Sequence, residues 1–524
     1  MKGHLGDSLK HNCGIAAVSL TKPFSSPEES SSGLLYKMLL RLQNRGQLSA
    51  GITTYSAQRQ QLIDTFKRVG LVSEVFSSSH RAKFQSILKE YAGSKGIGHV
   101  RYATFGADDE GYAQPFERHH NRMWKWFSFA FNGNIANYAD LKQELAKQHY
   151  HLIRDSDTEL LMLLIADELK GDNEPGFEEI FSKVSKKLDG AYSMVFINAE
   201  GELVALRDPL GIKPLCYSES NGVLSIASES SALINSDNNG VKDLKAGELL
   251  VVGKDGSLEK RQYCNSGKAA HCMFEWVYFA SASSTIDGVN VYETRWNLGK
   301  ELAKSEPLES SGGDFVVVPV PDTARPAAEA FAHELGLPCM EGLLRNRFIG
   351  RTFIEGTGRS EKAMEKYSIV KPLVKGKKVL LVEDSIVRGT TGKALINYIR
   401  EKGMAKEVHV RVSCPPIRFP CFYGIDMSSC SELIASRESS EEERLSGNSP
   451  LSEATVSKIC KEIGADSLVY NSVESLVKAI GLPRGGEELC LACLNSEYPT
   501  PKGLELFKKQ LSMPSGSGKR AYEC

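Results

Sequence analysis

The stretch from Val379 to Thr391 reads V-L-L-V-E-D-S-I-V-R-G-T-T and carries most of a binding site within one segment. Glu383 and Asp384, adjacent carboxylates after an apolar run, could grip a sugar diol. Ser385, Thr390 and Thr391 supply hydroxyls, Gly389 supplies a turn and Arg388 a cation, and the loop leads into a helical pattern. Backbone N–H groups at such a helix start attract phosphate, because the first turn leaves them unpaired and the dipole is positive there. The ligand this chemistry suits is a sugar phosphate. The bland alternative is a solvated acidic pair on an ordinary α/β turn. Two acids, a glycine and three hydroxyls within nine residues of one strand end speak against it.

A second set of reactive residue types is scattered. It comprises H-N-C-G-I around Cys13, L-Q-N-R-G-Q-L-S-A-G-I (Leu42–Ile52), G-H-V-R-Y-A-T-F-G (Gly98–Gly106), N-G-N (Asn132–Asn134) and S-D-T-E (Ser156–Glu159). L-D-G-A-Y-S (Leu188–Ser193) and R-D-P-L-G-I-K-P-L (Arg207–Leu215) follow. In this order, over residues 13–255, they resemble the glutaminase domain of the N-terminal-nucleophile amidotransferases. Glutamine hydrolysis needs a nucleophile, a base and donors for the oxyanion. The resemblance makes Cys13 the nucleophile and its own α-amine the base, which requires removal of residues 1–12 as a propeptide. It assigns the oxyanion hole to Asn132 and the Gly133 N–H, the glutamine α-carboxylate to Arg101 and its α-ammonium to Asp157. Arg45 and Asp208 stay between scaffold and function.

The segment Val379–Thr391 resembles the binding loop of the phosphoribosyltransferases that use phosphoribosyl pyrophosphate (PRPP). On that resemblance Glu383 and Asp384 hold the ribose hydroxyls, and Ser385, Arg388, Gly389, Thr390 and Thr391 surround the 5-phosphate. V-P-V-P-D-T-A-R (Val318–Arg325), with Asp322, resembles the pyrophosphate loop. L-R-N-R-F-I-G-R-T-F-I (Leu344–Ile354), with Arg347 and Arg351, resembles the loop that closes over PRPP. Magnesium is implied with the pyrophosphate, Glu383 and Asp384 being its candidate ligands. Ala324 stands where many relatives have a serine ligand, which leaves the third ligand open, with water as one candidate.

Four cysteines match contexts of an iron–sulfur subclass: Cys272 in H-C-M-F-E-W, Cys421 in P-C-F-Y-G, and Cys490 and Cys493 in C-L-A-C. Four thiolates suit a [4Fe–4S] cluster. They suit a tetrahedral zinc site as well. Cys216, Cys264, Cys339, Cys414, Cys430, Cys460 and Cys524 have no motif company and read as ordinary thiols.

The elements that must position these groups differ between halves. Short apolar strands such as Gly14–Leu20, Gly96–Tyr102 and Ala191–Ile197 alternate with amphipathic stretches at Leu34–Gln43 and Thr158–Lys170, as in an α+β layered domain ending near residue 255. Beyond Asp314, Phe315–Val320, Val379–Val382 and Val408–Ser413 read as buried strands of a parallel α/β sheet. Leu395, Ile396 and Ile399 share a helical face, with Gly403 placed to end that helix. Ser25–Ser32 and Ser436–Ser452 read as exposed loops, residues 256–500 as the second domain and 501–524 as a frayed tail.

With a formal charge of −1 and 25% charged residues, the 524-residue chain offers no electrostatic case for nucleic acid or a membrane surface. No apolar run reaches the roughly 20 residues needed to span a bilayer. The polar start M-K-G-H-L-G-D-S lacks an export signal, so a reducing cytoplasm is expected for the 12 cysteines.

Together the halves resemble the glutamine PRPP amidotransferases, which implies an αββα glutaminase domain followed by a type I phosphoribosyltransferase domain. The resemblance also implies glutamine and PRPP as substrates, 5-phosphoribosylamine as product at the first step of purine synthesis, purine nucleotide feedback and a homotetramer. Relatives carry Arg-Pro-Asp-Ser where this chain has Ser281-Ala282-Ser283-Ser284. That departure and Ala324 keep a non-catalytic nucleotide-sensing relative as the alternative. A sugar-phosphate aminotransferase shares the glutaminase half but not Val379–Thr391.

Overall fold

The computed structural model describes residues 13–102, 109–234, 240–309, 314–346, 367–427, 429–447 and 449–512. Two antiparallel sheets stack at the N-terminal side. One runs in the order Lys242–Asp243, Cys216–Ser220, Val223–Ala227, Gly14–Leu20, Lys95–Arg101, Ser49–Tyr55, Ile63–Val69. The other runs Leu258–Gln262, Glu248–Val252, Leu203–Arg207, Gly190–Asn198, Phe127–Ile135, Phe116–Arg118. Ile15, Ala17, Ile97, Ala130, Val195 and Ala205 fill the space between them. Helix Ser31–Arg41 covers the outer face of the first sheet, and Asp157–Glu168 and Phe177–Lys187 cover the second. This is an αββα sandwich, and central strands such as Gly14–Leu20 alternate between an inner and an outer apolar layer.

The second domain holds a parallel sheet in the order Phe315–Pro319, Lys378–Glu383, Glu407–Val412, Ser467–Tyr470. Val316, Val318, Val379 and Leu381 pack with Leu395, Ile396 and Ile399 on one face. Val317, Leu380 and Val382 pack with Ala327, Ala328 and Phe331 on the other. Both faces are covered, which is why these strands are apolar without alternation.

Several expectations change. Strand Leu258–Gln262 pairs with Glu248–Val252, so the first domain runs past residue 255. The reading of 501–524 as a frayed tail fails for its first part, because Pro501–Ser512 is a helix. Leu506 and Phe507 pack against Phe419, Phe422 and Ala136, so this helix clamps both domains. Ser25–Ser32 is not simply a loop. Ser30 to Ser32 are buried and open helix Ser31–Arg41, with Ser32 Oγ donating to the Leu88 carbonyl at 2.7 Å. Ser436–Ser452 contains helix Glu441–Leu445, and Glu443 accepts from Ser440 N, Ser452 N and Thr455 Oγ. Satisfied serine and glutamate caps are what let so polar a stretch as Glu441–Leu445 form a helix. Gly403 does not turn the chain left-handed; Met404 does, at φ 60°. A β-carbon on Gly403 would stand 2.3 Å from the Ile399 carbonyl oxygen, so close packing requires the glycine.

Candidate active sites

The glutaminase residues come from four separate elements. Gly14 pairs with Val100 in adjacent antiparallel strands, which brings Cys13 to the end where Arg101 leaves its strand. Ile15 and Ala17 face the inter-sheet core, so period-two alternation turns Cys13 the same way. Ala130 belongs to that core too, and Asn132 lies two residues further along its strand, on the same face. Asp157 opens helix Asp157–Glu168, whose start is fixed by Ser156 Oγ accepting from Glu159 N. The Glu159 carboxylate in turn accepts from Ile153 N and Arg154 N at 2.8 and 2.6 Å.

The charges in this pocket act on one another. Burial pushes the Cys13 thiol up, Arg101 and Lys213 oppose the rise, and Asp157 adds to it. The thiol therefore stays protonated at neutral pH and needs a base. Burial raises Asp157 to about 6, against the pull of Arg101. Among the described residues, the Asn132 Nδ2 is buried with no hydrogen-bond partner. An orphaned buried amide costs stability, and this one stands on the strand face that Cys13 shares. A β-carbon on Gly133 would lie 2.0 Å from the Ala191 carbonyl oxygen, which only glycine permits.

Arg45 and Asp208 resolve as scaffold. Arg45 is buried between Glu229 and Glu275. Asp208 accepts from Leu210 N and Ile212 N at 3.0 Å and from Lys213 N at 3.1 Å, which shapes the loop after Arg207. Ser281 N and Ser284 Oγ donate to Glu229 at 2.9 and 3.0 Å, so the departing Ser281–Ser284 stretch is built into the same buried junction.

The second site lies at the carboxyl end of the parallel sheet. Glu383 ends its strand, and Asp384 is buried and accepts from Ser385 Oγ at 2.7 Å. Burial raises Asp384 to about 6, while Ser385 and the buried Arg295 pull it down. Gly389 adopts φ 81° directly before helix Thr390–Glu401, leaving Thr390 and Thr391 in the first turn. Asp322 lies 3.3 Å from Arg345 and 3.6 Å from Arg325. Arg388 differs from its expected phosphate role: its guanidinium is held by Glu432 and by the Asp426 carbonyl. Arg347 and Arg351, and the propeptide 1–12, lie outside the described residues.

Two residues escaped the sequence reading. Tyr367 pairs with Arg345 across a short ladder and is acted on by Glu383, Asp384 and Asp322. Its neighbours carried no motif signal. Lys213 sat inside a recognised motif, but only the fold puts its charge beside Cys13.

The four motif cysteines converge. Cys272 and Cys490 are register partners in a parallel ladder. The Cys493 carbonyl accepts from Arg418 N and Phe419 N at 2.9 and 3.1 Å, and Cys421 Sγ accepts from Tyr423 N at 3.4 Å. Cys493 is acted on by Cys421, Cys490 and Cys272 together. Among the described residues, the one group of three or more His, Cys, Asp or Glu with ligand atoms within 4.8 Å of one another is Glu174, Glu200 and Glu202. No three of these sulfurs are therefore that close. A single zinc, with Zn–S near 2.3 Å, would set its sulfurs about 3.8 Å apart.

Comparison with known proteins bears on the same two halves. A glutamine amidotransferase domain family matches residues 80–252, and a phosphoribosyl transferase domain family matches residues 295–418. The chain is 38% identical over 506 residues to the amidophosphoribosyltransferase of Methanothermobacter thermautotrophicus, covering 95% of this chain and 96% of that one. It is 37% identical over 498 residues to the Bacillus subtilis amidophosphoribosyltransferase, covering 94% and 95%. Among solved structures, an allosteric regulatory enzyme of purine biosynthesis superposes with TM-score 0.78 at 34% identity, covering 93% of this chain and 96% of that chain. Glutamine PRPP amidotransferase from B. subtilis, complexed with ADP and GMP, superposes with TM-score 0.77 at 34% identity, covering 93% and 97%.

Proposed function

The chain belongs to the amidophosphoribosyltransferase family, and from that premise we propose that it frees ammonia from glutamine at Cys13 and adds it to C1 of PRPP at the Glu383–Asp384 edge. The products are glutamate, 5-phosphoribosylamine and pyrophosphate, at the opening step of purine synthesis. The observation that carries this reading is the buried Asn132 amide, unpartnered among the described residues, on the inter-sheet face that Cys13 shares.

After removal of residues 1–12, the Cys13 thiol passes its proton to its own α-amine and attacks the carboxamide carbon. That amine has an ordinary pKa of about 7.7–8.0, suited to taking a proton near neutral pH. Asn132 Nδ2 and the Gly133 N–H receive the oxyanion. Arg101 and Asp157 hold the α-carboxylate and α-ammonium by opposite charge. Collapse of the intermediate expels ammonia, and water then releases glutamate from the thioester.

At the second site Glu383 and Asp384 orient the ribose diol, and the Ser385–Thr391 loop with its helix N-terminus holds the 5-phosphate. Magnesium fits the donor set. Two carboxylates at one strand end are hard oxygen ligands, and this ion is commonly held by one or two of them plus substrate phosphates. When bound it neutralises the charge of the departing pyrophosphate. Cys272, Cys421, Cys490 and Cys493 converge and supply the four thiolates of a [4Fe–4S] cluster, holding the C-terminal segment to both domains. Amide transfer asks nothing of an electron carrier, so its role is structural.

A homotetramer under purine nucleotide feedback, working in the cytoplasm, completes the proposal. Among the described residues no helix is long and apolar enough to cross a membrane. Glutamine-dependent release of pyrophosphate from PRPP by a chain whose intact mass begins at Cys13 is the expected result. A chain that keeps residues 1–12 and releases none overturns the reading.

A further inference from the structure

Gln114 is a buried amide just before strand Phe116–Arg118, and it touches two elements that carry glutaminase residues. Strand Phe116–Arg118 pairs with Phe127–Ile135 in a register that sets Phe116 against Phe129, so a longer ladder would bring Gln114 opposite Phe131. The ladder stops instead. The Gln114 carbonyl turns toward Gly51, where a β-carbon would stand 2.4 Å from it. The side chain replaces the lost ladder contact: Gln114 Oε1 accepts from Phe131 N at 2.8 Å. A backbone N–H can only donate, which orients the amide and leaves Nε2 to donate on the other side. Nε2 meets Thr158 Oγ1 at 3.4 Å, the longer of the two bonds.

These partners are chain neighbours of the residues assigned to glutamine. Phe131 precedes Asn132 in its strand, and Thr158 follows Asp157 in the first turn of helix Asp157–Glu168. Thr158 is buried. Its hydroxyl accepts from Gln114 and keeps its own proton for the Asp157 carboxylate, which it holds down against burial. Gln114 is also held from behind. Lys67 Nζ donates to the carbonyls on both sides of it, Ala113 at 2.7 Å and Pro115 at 3.0 Å, and lies 4.7 Å from the Phe116 ring centre. Glutamine offers a carboxamide at one end and an α-ammonium at the other. The spacing of Asn132 from Asp157 therefore selects for it, and a buried amide bonded to both elements fixes that spacing.

We propose that Gln114 is a positioning residue for glutamine hydrolysis: its amide ties strand Phe127–Ile135 to the start of helix Asp157–Glu168, so that the oxyanion donor and the α-ammonium partner meet the two ends of one substrate. The inference rests on the glutaminase reading above.

The test compares the unaltered chain beginning at Cys13 with Gln114→Met, Thr158→Val, Thr158→Ser and the double variant Gln114→Met/Thr158→Val. For each, kcat and KM are measured with glutamine and with glutaramate, which keeps the carboxamide and lacks the α-ammonium. Pyrophosphate release from PRPP with free ammonia serves as the control. Gln114→Met is expected to lower kcat/KM for glutamine by roughly 10- to 100-fold, through a lower kcat and a higher KM, and to lower the preference for glutamine over glutaramate by about tenfold. Its ammonia-dependent rate stays within about twofold of the unaltered chain. Thr158→Val loses the same preference, Thr158→Ser restores it, and the double variant loses no more of it than Gln114→Met alone, as members of one chain of bonds must. A Gln114→Met that keeps the preference overturns the proposal, as does equal loss with both amides, which marks mere structural support. Additive losses in the double variant, or a Thr158→Ser as poor as Thr158→Val, overturn it too. Should Gln114→Met not fold, Thr158→Val and Thr158→Ser read the same contact from its other end. An unaltered chain that hydrolyses no glutamine overturns the glutaminase reading itself, and that result is read before any substitution, so the two failures remain distinguishable.

Discussion

The two active sites are built in opposite ways. The proposed phosphoribosyl site draws Glu383, Asp384, Ser385, Gly389, Thr390 and Thr391 from one strand, turn and helix. The proposed glutaminase site draws Cys13, Arg101, Asn132 and Asp157 from four elements spread over both sheets and a covering helix. A phosphate needs a cradle of successive N–H groups, which one turn supplies. Acyl transfer needs a nucleophile, an oxyanion donor and two charges facing a small substrate from different sides, which no single turn can present. One site is local and the other is convergent, and their responses to substitution should separate accordingly.

The largest effect is expected at Cys13. Cys13→Ser should lower glutamine-dependent activity by at least about a thousandfold while sparing activity with free ammonia. Equal loss of both would mean that Cys13 serves folding or processing, and the separation would fail. Next comes Asn132→Ala, which removes one oxyanion donor and should lower glutaminase kcat by roughly 10²–10³ with little change in KM. A rise in KM alone would make Asn132 a ground-state contact.

Asp384→Asn tests the other side of the comparison. It should weaken PRPP use by roughly 10- to 100-fold, the scale of a lost charged hydrogen bond, and leave glutamine hydrolysis intact. The same substitution should raise Tm at neutral pH. Folded Asp384 ionises at about 6 against 3.8 for an ordinary carboxyl, so between those values the folded state binds more protons than the unfolded one. Its contribution to stability therefore falls as pH rises through that window, and asparagine removes the cost. A lowered Tm in thermal melts above pH 6 would contradict this. The smallest effect is expected at Lys502, whose Nζ meets Asp140 at 2.7 Å across the clamp. Lys502→Ala should change stability by less than about 1 kcal/mol and neither half-reaction. A large loss of coupling would make the ion pair, rather than the apolar packing of Phe507, the essential contact.

Legibility followed the same division. Val379–Thr391 could be read because its chemistry is contiguous. Tyr367 could not, since only the ladder to Arg345 brings it to the acidic edge. Arg388 looked like a phosphate ligand by position, yet Glu432, 44 residues away, holds it. Polar composition misled at Ser436–Ser452 and at Pro501–Ser512, because composition does not report whether serines cap helices or whether Phe507 finds a partner.

What the residues determined by themselves was the kind of chemistry: a thiol nucleophile with an amide donor, an acidic strand end before a phosphate turn, and four thiols in matching contexts. Residue type carries reactivity, and short spacing carries local geometry. What the tertiary structure decided was company. It set Arg45 between two glutamates and left the Asn132 amide without a partner among the described residues. It also turned the C-terminal segment into a clamp. Those outcomes depend on which faces of two sheets and a parallel core meet, and burial and field strength exist only once they do.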